Sequence, residues 1–399
     1  MRLLFEVGAV LVALGLLGVF IWVLQGAHDW ALASGQPVFG DYIAFWSAGR
    51  ATLEGHVAEV HDRATTWIYH QQAITPIRFH APWNSPPTFL LIVTPLALLP
   101  FPVSAVVFLT VTGAFYFVVA RKLLPDARAL LFAATMPAAF YHLATAQVGL
   151  LIAAITGLAL HWLDKRPRAA GALVGLLAIK PHLAVLWPFL LAITGRWRAF
   201  FAAAVSTLSF ILLAGLVFGF ETYLRFFESL ERSAALISEQ RITTPAYASL
   251  FANLLQWHVD RDAATIAHAV SAALGAGLSG WIFLRTQRTQ QFGAQAAALC
   301  AGTLLISPYL FFYDGILLGV GAALLGVPRT RFELLAAVLA WSAGLTLTIG
   351  YFLEPFPLCP LAAWVLLIAA FARSGNAAAR PGQAQPTSAA RRSMRRYRH

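Results

Sequence analysis

The sequence predicts an all-α polytopic membrane protein. Of its 399 residues, 59% are hydrophobic and only 11% are charged, and the mean hydropathy is +0.71. An average soluble domain has about 25% charged residues. Apolar runs of about 20 residues, the length of a helix that crosses a bilayer, recur along most of the chain. The short connectors between these runs are rich in lysine and arginine.

The first apolar run, residues 3–25, is a predicted membrane anchor. A cleaved signal peptide is the alternative, because ALAS at residues 31–34 is similar to a cleavage site. Only one arginine precedes the run, however, and the run exceeds the roughly 7 to 15 residues that are usual in signal peptides.

Ten further apolar runs follow the first. The longest, residues 86–120, exceeds one straight span, and its three prolines predict a broken or re-entrant first half packed against protein. We therefore predict a total of about 11 to 13 crossings. The runs lie near residues 86–120, 129–146, 148–163, 169–194, 199–219, 264–284, 292–306, 311–326, 332–350 and 358–372.

Basic residues predict the topology. Five short connectors carry twelve lysines and arginines, and the segment 373–399 carries seven arginines. The positive-inside rule assigns these parts to the cytoplasm, with 373–399 as a basic, disordered tail that anionic lipids attract. The loops at about 26–85 and 220–263 then face outward. Residues 169–194, between two cytoplasmic connectors, must form two short helices with Lys180 at the outer turn.

Several chemistries have no support in the sequence. The two cysteines, Cys300 and Cys359, lie far apart in apolar surroundings, so neither a disulfide nor a CxxC site is predicted. The histidines of loop 26–85 match no HExxH spacing, and no Walker or GxGxxG motif has the required context. We expect no metal, no cofactor and no nucleic-acid partner. The net charge of +11 is explained by membrane topology instead.

Asp41 is the first candidate functional residue. It heads the stretch GDYIAFWSAGRATLEGH, residues 40–56, which predicts a juxtamembrane helix with aromatic residues such as Tyr42 and Trp46 on its side. Such a helix would lie in the outer interface and hold Asp41 at the membrane boundary. An N-cap carboxylate is the alternative, because aspartate is favoured at that position.

Lys180 is the second candidate, because an ionisable residue inside an apolar run usually faces a cavity or a partner. Anion binding is the predicted role, supported by loop arginines such as Arg241, Arg225 or Arg78. The alternatives are a lysine that snorkels to water and pairs with a structural carboxylate, and loop arginines that are simply solvated.

The third candidate segment is SPYLFFYDG, residues 307–315. Its tyrosines, Tyr309 and Tyr313, would serve equally well as membrane-interface anchors. Asp314 is more informative, because a carboxylate at this depth calls for a basic side chain or a sugar hydroxyl as its partner. Gln147 and His182 are predicted to lie near the same outer surface.

Five motifs together are similar to glycosyltransferase family 87, the polyprenol-phosphate-mannose-dependent mannosyltransferases of the GT-C superfamily. They are DYIAFWSAGRATLEG, WNSPPTFLLIVTPLALLP, AQVGLL, AGALVGLLAIKPHLAVLWPFLLAITGRWRA and LLISPYLFFYDGILL. Their order and spacing span most of residues 1–330. The resemblance implies a GT-C-like helix bundle over residues 1–372, with extracytoplasmic juxtamembrane helices.

The resemblance also implies an inverting hexosyltransferase of the plasma membrane. It would move a sugar from a polyprenyl-phosphate donor to a lipid or glycan acceptor on the extracytoplasmic face, for a cell-envelope glycan. By motif position Asp41 is the general base, and Lys180 and Arg241 are expected at the donor phosphate. The residues expected to contact substrates are Tyr42, Trp46, Gln147, His182, Tyr309, Tyr313 and Asp314.

One departure bears on the substrate. Family members often carry histidine where this chain has Tyr309, Phe312 and Tyr313. Mannose is therefore the family default, and galactose, glucose or a pentose would suit the same residues. A translocase or binding protein for a polyprenyl-phosphate-linked lipid or glycan, without bond cleavage, is the alternative function, and a purely structural membrane subunit is a third.

Overall fold

A computed structural model describes residues 2–124, 126–238, 246–352 and 356–376. Within these ranges the regular secondary structure is helical and contains no β-strands, which confirms the all-α class. The α-helices before residue 165 are α1 (Arg2–Gln25), α2 (Tyr42–Leu53), α3 (Arg63–Ala73), α4 (Pro87–Leu96), α5 (Phe101–Leu123), α6 (Ala127–Thr135), α7 (Pro137–Thr145) and α8 (Gly149–Trp162).

The remaining α-helices complete the described chain. They are α9 (Pro167–Leu176), α10 (Leu186–Ile193), α11 (Trp197–Phe218), α12 (Glu221–Ser238), α13 (Leu250–Gln256), α14 (Arg261–Thr286), α15 (Phe292–Ile306), α16 (Ile316–Leu325), α17 (Arg331–Ser342), α18 (Thr346–Phe352) and α19 (Leu358–Asn376). Short 3-10 turns lie at Val57–Glu59, Leu177–Ile179, Pro181–Leu183, Phe312–Gly315 and Ala343–Leu345.

Six helical segments in the described residues are long and apolar enough to cross a membrane. They are Glu6–Gln25, Phe101–Leu123, Trp197–Phe218, Arg261–Thr286, Arg331–Gly350 and Leu358–Gly375. The chain is therefore a multi-pass membrane protein. Six other apolar helices have only 10–17 residues, fewer than the about 20 that span a bilayer, so the total of crossings stays a prediction.

The two segments of awkward length fold as predicted. In residues 86–120, α4 ends before Pro100 and the full-length helix α5 starts at Phe101. Phe89 and Leu90 of α4 are buried, so the broken segment packs against protein. In residues 169–194, two short helices meet at Lys180, which joins two 3-10 turns. Lys180 therefore lies at the turn between these two short helices.

Helix α2 differs from its prediction as an interface helix. Nine of its twelve residues are buried, including Tyr42, Phe45 and Trp46. Phe45 packs edge-on against Phe89 of α4 at 4.9 Å between ring centroids. The aromatic side chains thus face the protein core and not the lipid, because α4 and α5 cover them.

Helices α8, α15 and α16 form the centre of the bundle, since they are buried on nearly every side. Helix α19 packs beside them and continues to Asn376, so the predicted tail starts later than residue 373. Arg373 is buried, pairs with Glu333 of α17 and donates to the carbonyl oxygens of Leu325 and Val327. Residues 377–399 lie outside the described residues.

Candidate active site

Asp41 stands immediately before α2, at the end of the loop that follows α1. The backbone of Gly40 has φ +39° and packs against α7, where a Cβ atom would lie 3.2 Å from Thr145 Cα. Asp41 occupies the N-cap position of α2, but its side chain makes no capping hydrogen bond. The carboxylate is therefore directed elsewhere, which removes the N-cap alternative.

Gln147 is the partner of this carboxylate. Its amide nitrogen Nε2 donates to Asp41 Oδ2 at 2.9 Å. Ala146, just before it, has φ +47° and ψ +45°, a left-handed conformation that ends α7 and turns the chain toward α8. A non-glycine residue rarely adopts this conformation, and such strain tends to occur at functional sites. Gln147 is 7% exposed, so its amide is held in place.

Lys180 forms a buried ion pair with Asp314. Its Nζ lies 2.5 Å from Asp314 Oδ1, and the two side chains are 14% and 1% exposed. The second oxygen, Asp314 Oδ2, accepts a hydrogen bond from the backbone nitrogen of Phe311 at 3.0 Å. Lys180 thus pairs with a carboxylate, as the alternative interpretation of the sequence predicted. The pair lies inside the protein, however, and Lys180 does not extend to water.

Tyr313 completes the wall beside this ion pair. Lys180 Nζ lies 5.0 Å from the centre of the Tyr313 ring, a cation–π distance. The carbonyl oxygen of Tyr313 is 3.1 Å from Nε2 of His142, which is fully buried in α7. The His142 ring in turn rests on Gly149, where any Cβ atom would overlap it. These contacts hold α7, α8 and the 3-10 turn before α16 together.

His182 follows Lys180 by two residues. Its ring lies close enough to Lys180 and Asp314 for their charges to act on it. The atom His182 Nε2 is buried and has no hydrogen-bond partner among the described residues. Buried polar atoms are usually satisfied, so an unpaired nitrogen beside a charged pair indicates a position for a ligand group.

The electrostatics of Asp41 have three causes. Burial raises the pKa of its carboxyl above the ordinary value, while the hydrogen bond from Gln147 and the positive charge of Lys180 both lower that pKa. Burial dominates because a charged carboxylate loses its hydration there. Asp41 nevertheless stays partly exposed, and no described residue hydrogen-bonds to its Oδ1. Asp41 Oδ1 is therefore a free carboxylate oxygen near the Lys180 cation. This arrangement suits proton abstraction beside a bound anion.

The cluster brings together Asp41, Gln147, Lys180, His182, Tyr313 and Asp314, all of them predicted from the sequence. Tyr42 and Trp46 are not part of it, and their contact with substrate stays a prediction. The Tyr42 hydroxyl bonds to Ser104 at 2.8 Å, and Trp46 Nε1 donates to the Leu99 carbonyl oxygen at 2.9 Å. Both are core side chains because α4 and α5 enclose α2.

Two other predicted residues also lie apart from the cluster. Tyr309 packs edge-on against Phe251 of α13, with ring centroids 5.9 Å apart, so it belongs to a separate apolar cluster. Its contact with substrate stays a prediction. Arg241 lies outside the described residues.

His142 is the residue that the sequence prediction missed. A histidine in the middle of the apolar run 129–146 is costly there, and that cost is itself a sign of a partner or a function. The loop histidines have structural contacts instead. His70, for example, bonds to the Ser47 hydroxyl at 2.9 Å and stacks on His80 at 5.1 Å.

Comparison with known protein families gives a match over a large part of the chain. Residues 83–308, more than half of the chain, match the model of glycosyltransferase family 87. The matched region includes Gln147 and Lys180, whereas Asp41 precedes it and Asp314 follows it. Neither a curated protein nor a solved structure matches the chain.

Proposed function

The chain belongs to glycosyltransferase family 87, and we propose that it transfers a hexose, mannose by family default, from a polyprenyl-phosphate donor to a lipid or glycan acceptor. The reaction inverts the anomeric centre and takes place on the extracytoplasmic face of the plasma membrane, with Asp41 as general base. One observation carries this proposal: Asp41, a residue of intermediate exposure, has an uncapped carboxylate whose Oδ1 accepts no hydrogen bond from the described residues, within the field of Lys180.

The chemistry assigned to Asp41 is a single proton transfer. The acceptor hydroxyl attacks the anomeric carbon, its proton passes to Asp41 Oδ1, and the bond from that carbon to the phosphate oxygen breaks. The electron pair leaves with polyprenyl phosphate. Burial raises the Asp41 pKa, and a higher pKa makes the ionised carboxylate a stronger base. Gln147 holds Oδ2, so Oδ1 is the oxygen that receives the proton.

Lys180 is assigned to the leaving group. A donor phosphodiester carries one negative charge, whereas the departing monoester carries about −1.5 to −2. An ammonium group near that phosphate is therefore attracted more strongly in the transition state than in the bound donor. The ion pair with Asp314 keeps Lys180 in one position, and preorganisation of this kind is what electrostatic catalysis requires. Arg241 is proposed as a second cation at the same phosphate.

His182 and Tyr313 are proposed to form the sugar site. His182 Nε2 is buried without a partner and suits a hydrogen bond with a sugar hydroxyl. Tyr313 is buried, with Lys180 beside its ring and the Phe311 ring stacked on it, so its proposed role is to form the wall of the sugar site. The side chain of Asp314 is already engaged by Lys180 and by the Phe311 backbone, so it acts through Lys180.

The test is sugar transfer in reconstituted membranes. Wild-type protein is mixed with radiolabelled polyprenyl-phosphate mannose and a membrane extract that supplies acceptors, and labelled product is separated from donor. We expect Asp41→Asn to lower transfer by about 10²- to 10⁴-fold, the usual contribution of a general base. Asp29→Asn is the matched control, because Asp29 is an exposed acid of the same loop with φ +49°, a conformation that asparagine also adopts.

Two results would overturn parts of the proposal. Full transfer activity in Asp41→Asn would remove Asp41 as the base. Movement of intact donor between leaflets by wild-type protein, with no labelled product from any polyprenyl-phosphate sugar, would favour the translocase alternative.

A further inference from the structure

Helix α12 carries three distinct rows of side chains, each with the spacing of three or four residues that marks one helix face. The first row is buried against the protein and consists of Thr222, Phe226 and Ser229. The second row is apolar and exposed, with Phe220, Leu224 and Phe227 at 53%, 64% and 58%. The third row is charged and exposed: Glu221, Arg225, Glu228 and Arg232.

The direction of α12 is fixed by its junction with α11. Gly219 ends α11 with φ +84°, a left-handed conformation that suits glycine. The Phe220 ring folds back onto Gly215, where no Cβ atom would fit. The Tyr223 hydroxyl donates to the carbonyl oxygen of Ile211 in α11 at 2.9 Å. The exposed apolar row therefore keeps a set orientation relative to α11.

The apolar row of α12 continues the exposed surface of α11. Helix α11 is a candidate span of 22 residues, so its exposed apolar side chains face lipid. Near its C-terminal end, Leu213, Leu216 and Val217 are 50%, 70% and 57% exposed. Phe220 and Leu224 extend this surface directly into α12.

The charged row is neutralised within the helix. Arg225 lies 3.0 Å from Glu221 and 3.3 Å from Glu228, and Arg232 lies 4.0 Å from Glu228. Two acids and two bases thus pair along one face and leave no net charge in the row. Attraction to charged lipid headgroups is consequently not what holds the helix in place.

We propose that α12 is a membrane-surface helix. Phe220, Leu224 and Phe227 insert into the acyl region of the leaflet at the C-terminal end of α11, and the ion-paired row faces water. Helices with one apolar and one charged face adopt this arrangement at bilayer interfaces. The insertion ends after Phe227, because Glu231 occupies the same row one turn later.

Helix α12 also contacts the segment that packs against helix α2. The hydroxyls of Ser229 and Ser233 both donate to Asn84 Oδ1, at 3.3 and 3.2 Å. The neighbouring residue Trp83 is buried and packs edge-on against Phe45 of α2, with ring centroids 5.9 Å apart. Residues 83–84 therefore connect α12 to α2, the helix that Asp41 precedes.

The test places a fluorophore on adjacent residues that belong to different rows. Phe227→Cys and Glu228→Cys variants of the full chain are labelled with the environment-sensitive dye NBD and reconstituted in phosphatidylcholine vesicles. The native Cys300 and Cys359 are buried, so unmodified protein gives the labelling background. We expect a blue-shifted Phe227 label that nitroxide lipids quench and iodide does not, and the reverse for Glu228.

Two further measurements test the apolar row at a second residue and in the presence of an anionic lipid. Leu224→Cys should repeat the Phe227 result, and phosphatidylglycerol vesicles should leave the depth unchanged because the charged row is neutral. Equal quenching of the Phe227 and Glu228 labels by iodide would overturn the proposal. So would a Phe227 label shielded from both quenchers, since protein and not lipid would then cover the row.

Discussion

The amide of Gln147 and the carboxylate of Asp41 meet at 2.9 Å, although 106 residues separate them in the sequence. Each lies next to an unusual backbone conformation, Gly40 with φ +39° and Ala146 with φ +47°. The two turns bring the loop after α1 against the junction of α7 and α8. One oxygen of Asp41 is thereby fixed, and the other is left available to a ligand.

Replacement of Gln147 by leucine should change the pH dependence of transfer. The hydrogen bond from Gln147 lowers the pKa of Asp41, so its loss allows that pKa to rise further. A base works only when it is ionised, and the acid limb of the pH–rate profile should therefore move to higher pH. The measurement is the initial rate of sugar transfer over a pH series.

The Gln147→Leu variant should also have a lower rate on the pH plateau, by about tenfold, because the carboxylate is less well oriented. Thermal unfolding of the same samples serves as the control for folding. A lower plateau with an unmoved acid limb would show that Gln147 acts on something other than the ionisation of Asp41.

The Lys180–Asp314 pair should be costly to break from either side. Removal of one partner leaves the other buried and uncompensated, at a cost of about 3 to 5 kcal/mol. We expect Lys180→Met and Asp314→Leu to lower thermal stability strongly, and the double variant to recover much of the loss. The exposed pair Arg50–Glu54, 2.8 Å apart, is the matched control and should contribute about 0 to 1 kcal/mol.

Activity tests whether Lys180 binds the donor. The double variant should stay folded but show a raised KM for the polyprenyl-phosphate donor, because the cation for the phosphate is missing. Normal donor KM in a folded double variant would exclude Lys180 from the donor site.

Some of this arrangement could be predicted from the sequence, because charge and length constrain a membrane chain strongly. Basic connectors on both sides of residues 169–194 required the chain to return to the same face, which placed Lys180 at a turn between short helices. The cost of a charge among apolar residues then required a partner for Asp314. That its partner is Lys180, 134 residues away, depends on how the helices pack.

Other features could not be predicted from sequence patterns. The aromatic side of α2 predicted a lipid-facing helix, yet α4 and α5 cover it, and periodicity alone cannot distinguish burial in lipid from burial in protein. The left-handed turn at Ala146 has no sequence signal, since alanine is a good helix former and not a turn residue. The contact between Gln147 and Asp41 therefore became visible only in the structure.

The loop 26–85 should lose stability in mild acid. Burial lowers the pKa of His70 to about 4, from 6.5 in the unfolded chain. Between pH 6.5 and 4, His70 is consequently protonated in the unfolded state but not in the folded state. The free energy of unfolding therefore falls as the pH drops through this range, by about 1.4 kcal/mol per pH unit. The nearby His80, stacked on His70 at 5.1 Å, has a lowered pKa for the same main reason, burial.

The measurement is thermal unfolding in detergent at a series of pH values. His70→Gln should flatten the acid dependence, although it lowers stability near neutral pH because the bond to the Ser47 hydroxyl is altered. His28→Gln, at an exposed position of the same loop, should leave the slope as in wild type. A slope unaffected by His70→Gln would assign the acid sensitivity to other groups.

Gly149 should be irreplaceable even by alanine, because the His142 ring occupies the space of a Cβ atom. Alanine there must displace a ring that is fully buried, which costs about 1 to 3 kcal/mol. The displaced ring loses its contact with the Tyr313 carbonyl oxygen, 3.1 Å away, and the turn that holds Asp314 shifts with it. We expect lower thermal stability together with a lower rate of transfer.

Two variants isolate this cause. Gly113→Ala in α5 is the matched control, since no atom lies within 4 Å of a Cβ there, and it should be neutral or stabilising by up to about 1 kcal/mol because alanine is the better helix former. Truncation of the ring in the double variant Gly149→Ala, His142→Ala relieves the overlap and should restore part of the stability that Gly149→Ala loses. Additive losses in the double variant would show that the two positions act separately and that the His142 ring does not transmit the effect.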